Sequence, residues 1–331
     1  MLQLRKDIES GKQIGPRLLN SGPYFGRARP GWKGNEPEQQ VRDEVDFWAK
    51  QGVGGFKAKA ISPKHLKPLV EQAHKHGLTV TGHLDSGFRN TVNPQTAIEL
   101  GIDRVEHFLG GETTPPNVNA YTSLQHVTPA MREFKEIAKI YIDKKVWYDA
   151  TLTAYGYFGD RGSEEFKPWV KEREFFTPYV QELVNKKRYS DTPMFGRIYK
   201  GKLKTIAEFW RMGGQITLGT DHFSDGNFLP GFGAHREIDA FVRSGIPPSD
   251  ALKIATINGA KALKIDKDHG SIEPGKVADL FIIEGNPLKN IRNTRNVQTV
   301  IRAGKLHDSK KLLESVKGKL GPTDSDEAKK W

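Results

Sequence analysis

The sequence predicts an α/β fold, in which a parallel β-sheet flanked by helices is followed by a small antiparallel sheet. Three observations support this prediction. Amphipathic helices alternate with short apolar runs at intervals of about 25 residues, which is typical of right-handed βαβ units. Glycines separate several of these helices from the run that follows. After residue 264 the segments become β-rich, with turn dipeptides at Pro274-Gly275 and Asn286-Pro287.

The parallel strands are expected in six places. They lie near residues 17–21, 53–57, 79–83, 103–107, 145–150 and 215–220. The helix before the third strand has clear start and stop signals, because Ser62 supplies an N-cap, Pro63 fits the first helical position and Gly77 ends the helix. An aromatic-rich insertion of about 152–200 separates the fifth strand from the sixth. Insertions of that length are usually functional, and we expect a lid of short helices.

Three segments follow from this pattern along the 331-residue chain. Residues 1–264 are expected to form the parallel α/β domain that includes the insertion. Residues 265–310 are expected to form the antiparallel sheet, and residues 311–331 a charged tail.

The composition excludes several classes of protein. The chain has no cysteine, which rules out disulfides, thiolate nucleophiles and cysteine-based zinc sites. Its formal net charge is +11, but the basic residues are scattered and no nucleic-acid-binding motif accompanies them, so no nucleic-acid partner is expected. No apolar run approaches the roughly 18 residues of a membrane span, and the first residues lack the apolar core of a signal peptide. We expect a soluble protein with no membrane partner, in a compartment that the sequence leaves open.

Four side chains that can bind a metal stand at the ends of predicted strands: Lys57, His83, His107 and Asp221. Taken singly, each has an ordinary explanation, such as a satisfied polar residue or a lysine that reaches water. The carboxyl ends of the strands in a closed parallel barrel meet at one mouth, where active sites are built. Their joint position therefore predicts a metal site.

Two other histidines, His74 and His76, have the His-x-His spacing but are not expected to bind a metal. They fall in the last turn of a helix just before Gly77, where a cation meets the negative end of the helix dipole. Residues two apart on a helix point in nearly opposite directions, whereas on a strand they share a face. We interpret both as surface or capping residues.

Several motifs, taken in order, resemble the amidohydrolase superfamily, most closely its imidazolonepropionase-like and Xaa-Pro dipeptidase-like branch. They are GFK, TGH, VEH and LGTD, followed by ALKIATINGAKAL and GSIEPGKVADLFIIEGNPL. The resemblance implies a (β/α)8 TIM barrel with a divalent metal centre, one or two ions and commonly zinc. It also implies hydrolysis of amide-type C–N bonds, in a small amide, a cyclic amide or a dipeptide, by a metal-activated hydroxide.

The resemblance assigns a role to each of the four strand-end residues. Lys57 would be a carboxylated lysine that bridges two metals, and His83 and His107 would bind the second metal. Asp221 would ligate the first metal and act as the catalytic proton shuttle.

One feature of the superfamily is missing from this sequence. Its members carry a His-x-His pair on the first barrel strand, and here only one helix precedes the first predicted strand. We therefore expect an incomplete barrel of about six of the eight strands, in an N-terminally truncated chain. The alternative is a non-catalytic, amidohydrolase-like remnant that lacks the His-x-His metal site.

Substrate contacts are expected from loops beyond the strands, at Arg27, Tyr155 and His235. An arginine such as Arg27 could bind the carboxylate of a dipeptide or imidazolone acid, although a surface arginine in a glycine-rich loop is an equally good interpretation. His235 could meet substrate or cap a helix. The expected partner is a small-molecule or dipeptide substrate, and self-association into a homo-oligomer stays open.

Overall fold

A computed structural model describes the chain except for residues 85–90, 110–119, 168–171, 187–189, 222–229 and 330–331. The chain divides into two compact units. The first unit comprises residues 1–150, 204–217 and 256–271, and the second comprises residues 151–203, 218–255 and 272–331. The predicted segment boundaries near 264 and 310 stay predictions.

The first unit contains a five-stranded parallel sheet whose strands follow one another in chain order. The strands are β1 (Gly55–Lys59), β2 (Thr79–His83), β3 (Arg104–Glu106), β4 (Trp147–Asp149) and β5 (Ile216–Thr217). One face is apolar and buried, with Phe56, Val80, Val105, Tyr148 and Ile216 in the core. The predicted α/β class with a parallel sheet is confirmed.

Two strand predictions need correction. The stretch near 17–21 forms no strand, and Ser21 makes one isolated bridge, to Gly55. A second bridge joins Phe25 to Ala58 and lies beyond Pro23, which has no N–H to donate to a ladder between the two. The strand predicted at 53–57 runs from residue 55 to 59, since Gly52 is still in a left-handed turn with a φ of 75°. Lys57 therefore lies in the middle of β1 and does not end it.

Fourteen α-helices occur among the described residues. They are α1 (Leu2–Glu9), α2 (Glu38–Lys50), α3 (Pro63–Lys75), α4 (Pro94–Glu99), α5 (Ala120–Leu124), α6 (Arg132–Asp143), α7 (Leu152–Gly159), α8 (Pro178–Lys186), α9 (Pro193–Arg211), α10 (Pro230–Arg243), α11 (Pro248–Lys253), α12 (Gly259–Ala262), α13 (Ser309–Val316) and α14 (Ser325–Ala328). Shorter turns of 3-10 helix cover Glu172–Phe175 and Ile291–Arg295, and a π-helical turn covers Ile254–Asn258. Within the described segments, no helix is long and apolar enough to cross a bilayer.

The second unit contains the helices of the insertion and a three-stranded antiparallel sheet. Its strands are β6 (Leu280–Ile283), β7 (Val297–Arg302) and β8 (Lys305–Asp308), paired in that order. The antiparallel sheet expected after residue 264 is therefore present. The insertion contains α7, α8 and the start of α9, so its helical character is confirmed, whereas a lid function stays a prediction.

A fully buried ion pair ties the insertion of the second unit to α10. Arg236 Nη2 lies 2.5 Å from Glu172 Oε1, and both side chains are within 1% of complete burial. Beside it, the carboxylate of Glu237 accepts hydrogen bonds from the backbone N–H groups of Leu152 and Thr153, at 2.7 and 2.9 Å. These contacts satisfy the donors at the start of α7.

Candidate metal centre

The face of the parallel sheet opposite the apolar core is lined by polar side chains. Neighbouring residues in a parallel ladder share a face, and the register pairs Lys59 with His83, His83 with Glu106, and Glu106 with Asp149. Lys57 lies two residues before Lys59 and therefore on the same face. The carboxyl end of the sheet thus collects ammonium, imidazole and carboxylate groups.

His107 reaches this face through an unusual backbone conformation. It follows the last residue of β3, so strict alternation would send its side chain away from that of Glu106. Its φ is +68°, in the left-handed region that residues with a Cβ rarely adopt. The imidazole rings of His83 and His107 consequently meet edge to face, with centroids 4.5 Å apart.

The backbone around His107 is held by β4. The His107 N–H donates to the carbonyl of Asp149 at 2.9 Å, and the hydroxyl of Tyr148 donates to the His107 carbonyl at 3.3 Å. The His107 ring is 3% exposed, so its position is set by packing as well as by these bonds. A side chain with so little freedom is preorganised for binding.

Glu106 is the central carboxylate of the site and was not predicted from the sequence. It forms an ion pair with Lys57, accepts a hydrogen bond from Thr81 Oγ1 at 2.8 Å, and lies 3.8 Å from His107 Nε2. Arg104 Nε in turn donates to Thr81 Oγ1 at 3.0 Å. The alternation of β3 was the available signal, because it places Glu106 in register with His83.

The surroundings of His83 keep its imidazole neutral. Burial, together with the ammonium groups of Lys59 and Lys57, lowers the pKa of His83 to about 4, and the carboxylate of Glu106 only partly opposes this. A neutral imidazole is the form that binds a metal. His83 therefore needs no deprotonation near neutral pH.

Two adjacent imidazoles fit two ligand positions of a divalent metal ion with a preference for nitrogen, such as zinc. Among the residues that the structure describes, no group of three or more His, Asp or Glu side chains has a geometry that could hold an ion. The pair of His83 and His107 thus supplies part of a coordination shell. Lys57 lies beside it, bound to Glu106.

Asp221 lies in the second unit, beyond the end of β5, with an exposed side chain and a φ of +41°. The structure brings Lys57, His83 and His107 together within the first unit. The assignment of all four residues to one metal site stays a prediction.

The residues expected to bind substrate have varied environments. Arg27 is exposed, and its backbone N–H donates to the carbonyl of Ala60 at 3.0 Å. Tyr155 is buried in α7, with Lys202 Nζ 4.6 Å from its ring centre. His235 Nδ1 lies 3.1 Å from Thr294 Oγ1, and burial lowers the pKa of His235 to about 4. Their contact with a substrate stays a prediction.

The interpretation of His74 and His76 as helix-end residues is confirmed. His74 lies in the last turn of α3 and His76 is its C-cap residue. Their Nε2 atoms lie 2.9 Å from Asp103 Oδ2 and 2.6 Å from Asp46 Oδ1, respectively. Both imidazoles therefore have carboxylate partners at the helix end.

Comparison with protein families agrees with the resemblance seen in the motifs. The model of the amidohydrolase family matches residues 179–307. Over 42 residues the chain is 57% identical to an imidazolonepropionase from Picrophilus torridus, covering 13% of this chain and 11% of that protein. Over 106 residues it is 35% identical to a 5-methylthioadenosine/S-adenosylhomocysteine deaminase from Thermoanaerobacter pseudethanolicus, covering 28% of this chain and 24% of the enzyme. The matched segments thus span well under half of these relatives.

Solved structures show the same fold over most of the chain. A Xaa-Pro dipeptidase with bound methionine superposes with a TM-score of 0.65 at 22% identity, covering 93% of this chain and 72% of the dipeptidase. A molinate hydrolase superposes with a TM-score of 0.63 at 19% identity, covering 96% of this chain and 70% of the hydrolase. These structures confirm the TIM-barrel fold. The resemblance to the amidohydrolase superfamily is confirmed by the family match and the curated relatives.

Proposed function

We propose that this chain is a metal-dependent hydrolase that cleaves an amide-type C–N bond in a small amide, a cyclic amide or a dipeptide. The observation that carries the proposal is the contact between His83 and His107 at the carboxyl end of the parallel sheet. In barrel enzymes this end of the strands carries the catalytic groups. The similarity to imidazolonepropionase, deaminase and dipeptidase sequences and structures supports the same class of bond.

The chain's own residues would hold a divalent metal, with zinc as the first choice. His83 and His107 would bind it through their imidazoles. Lys57 would add an oxygen ligand after its amine reacts with CO₂ to give a carbamate and a proton. A divalent metal ion, when bound, lowers the pKa of water and polarises a carbonyl oxygen.

Glu106 would have a different role before and after that modification. It now holds the ammonium group of Lys57 in an ion pair, which keeps the side chain on the polar face of the sheet. Carboxylation turns Lys57 from a cation into an anion, so the attraction between the two side chains becomes repulsion. Glu106 would then rely on Thr81 Oγ1, which already donates to it.

Proton transfer is assigned to Asp221. Its carboxylate would take a proton from the attacking water and deliver it to the leaving nitrogen, because an amine leaves readily only after protonation. Arg27, Tyr155 and His235 are the proposed substrate contacts, with the guanidinium of Arg27 suited to a substrate carboxylate.

The test combines metal analysis with a substrate panel. The purified chain is stripped with a chelator, reloaded with zinc or manganese, and assayed on Xaa-Pro dipeptides, an imidazolone acid, simple amides and 5-methylthioadenosine. We expect turnover of one class that disappears with chelator and returns with metal. The variant His83→Asn should lose metal and activity, whereas His126→Asn, an exposed histidine in the first unit, should lose neither.

The outcomes separate the proposal from its alternative. Turnover that is indifferent to chelator would remove the metal-dependent mechanism. A folded chain that takes up no zinc and hydrolyses nothing would instead be a non-catalytic relative of the amidohydrolases. Release of ammonia from 5-methylthioadenosine alone would move the substrate class from amides to aminopurines.

A further inference from the structure

A cavity of the first unit lies at the opposite end of the parallel sheet from the histidine pair. Its volume is about 450 Å³, within the usual range of small-molecule sites. It is lined by Thr79 and Trp147, the first residues of β2 and β4, and by Asp103, which precedes β3. We call it the amino-end cavity, and nothing in the proposed hydrolysis uses it.

The lining of the amino-end cavity is basic. Four lysines contribute to it, against two carboxylates: Lys144, Lys145, Lys261 and Lys264, with Glu99 and Asp103. The carboxylate of Asp103 accepts a hydrogen bond from the Val80 N–H at 2.8 Å, and lies 2.9 Å from His74 Nε2 and 4.0 Å from Lys264 Nζ. Because the lysines outnumber the carboxylates, the lining keeps a net positive charge that an anion can neutralise.

Two of these lysines occupy backbone positions that normally favour glycine. Lys145 has a φ of +56° and Lys264 a φ of +58°, both in the left-handed region. Each closes the turn after a helix, because the Lys145 N–H donates to the carbonyl of Ile142 and the Lys264 N–H to that of Lys261. A Cβ makes this conformation unfavourable.

Away from the cavity the same unit uses glycine in this conformation. Helix α3 is followed by the left-handed residue Gly77, with a φ of +70°, and Gly77 does not line the cavity. Attraction to the helix dipole explains a lysine anywhere in a last turn, but it does not require the left-handed position. Strained residues that persist often belong to functional sites. Both strained lysines line one cavity, which indicates that their ammonium groups have a common ligand.

We propose that the amino-end cavity binds a small phosphorylated molecule through these four lysines. Compact ammonium groups bind phosphate as point charges, and a diphosphate or triphosphate carries enough negative charge to match several of them. A monocarboxylate would leave most of that charge uncompensated. The concave shape and limited volume favour a small molecule over a nucleic-acid duplex, which needs an extended surface.

The first arm of the test measures binding of pyrophosphate and of ATP to the purified full chain by isothermal titration calorimetry. Both should bind, and more weakly as salt is raised. The variant Lys145→Gly/Lys264→Gly should bind at least about tenfold more weakly, a loss of about 1.4 kcal/mol. Its melting temperature should not fall, because glycine adopts the left-handed conformation without steric cost.

The second arm controls for diffuse attraction by the net charge. The variant Lys144→Gln/Lys261→Gln should also weaken binding about tenfold or more, and it keeps the proposal testable if the glycine variant does not fold. The matched control Lys310→Gln/Lys311→Gln removes the same charge from exposed positions of α13 and should change affinity less than about twofold.

Three results would overturn the proposal. The first is that the unmodified chain binds neither pyrophosphate nor ATP, and the second is that the α13 control weakens binding as much as the cavity variants do. The third is that a DNA duplex binds more tightly than ATP and resists displacement by pyrophosphate, which would make the surface a nucleic-acid contact. Loss of hydrolytic activity is not a readout here, so this proposal and the proposed hydrolysis can fail separately.

Discussion

Acid should destabilise the first unit through His83. The pKa of this imidazole falls from an ordinary value of 6.5 to about 4 on folding. Between these two values the unfolded chain binds a proton that the folded chain does not, so stability is lost as the pH falls. Relative to neutral pH, the difference amounts to about 2 kcal/mol at pH 5 and about 3 kcal/mol at pH 4.

The pH dependence of stability is measured on metal-free protein, so that metal binding does not contribute to it. Hydrogen exchange of amides in β2 and β3 gives the opening free energy of the first unit, which is preferable to a global transition because the two units need not unfold together. The variant His83→Gln should lose about 2 kcal/mol less than the unmodified chain between pH 7.5 and pH 5. His126→Gln, at an exposed position, should behave like the unmodified chain.

A specific result would refute this reasoning. If the unmodified chain and His83→Gln show the same pH dependence to within about 0.5 kcal/mol, His83 is not held neutral by burial and the nearby lysines. His83 would then lack the neutral imidazole that makes it ready to bind a metal near neutral pH.

Three further predictions concern other parts of the molecule. Glu172→Ala should lower the free energy of unfolding by about 3–5 kcal/mol in chemical denaturation, because it removes the carboxylate that pairs with the buried guanidinium of Arg236. The double variant Glu172→Leu/Arg236→Met should recover most of that loss. Replacing both His74 and His76 with alanine should leave the zinc content unchanged by mass spectrometry, and a clear loss of metal would contradict their assignment to the end of α3. Asp221→Asn should retain metal but lose about 10²–10⁴-fold in turnover, so equal rates in a steady-state assay would remove its role as proton shuttle.

Residues that begin or end helices made parts of the fold predictable. The strand at 79–83 was predicted to the residue, because Gly77 ends the preceding helix and an apolar run of the right length follows. The stretch at 17–21 has the same apolar character, but pairing across a sheet is a tertiary property. There only Ser21 and Phe25 make bridges, on either side of Pro23, whose missing N–H is the local sign that a continuous ladder does not form.

The site was partly predictable for a related reason. A histidine that closes a strand is visible in the sequence, and His83 and His107 do lie in contact. Glu106 was missed because alternation directs neighbouring residues to opposite faces, so choosing His107 for the site excluded its neighbour. Only the backbone angle of His107 brings both side chains to one face, and a positive φ at a residue other than glycine has no local signature.

Because of the positive φ of His107, the order of the neighbouring residues Glu106 and His107 is itself important. Exchanging Glu106 and His107 would preserve composition, charge and hydropathy, and a comparison based on those properties would count it as neutral. Yet the exchange would put the imidazole into the ladder facing Lys57, and would force the glutamate to adopt the left-handed backbone beside His83. The contacts of both residues would change, although the site would still contain the same residue types. A library of variants that exchange neighbouring residues would therefore reveal that position, as well as residue type, matters in this site. A library of single alanine substitutions would show only that each side chain is needed.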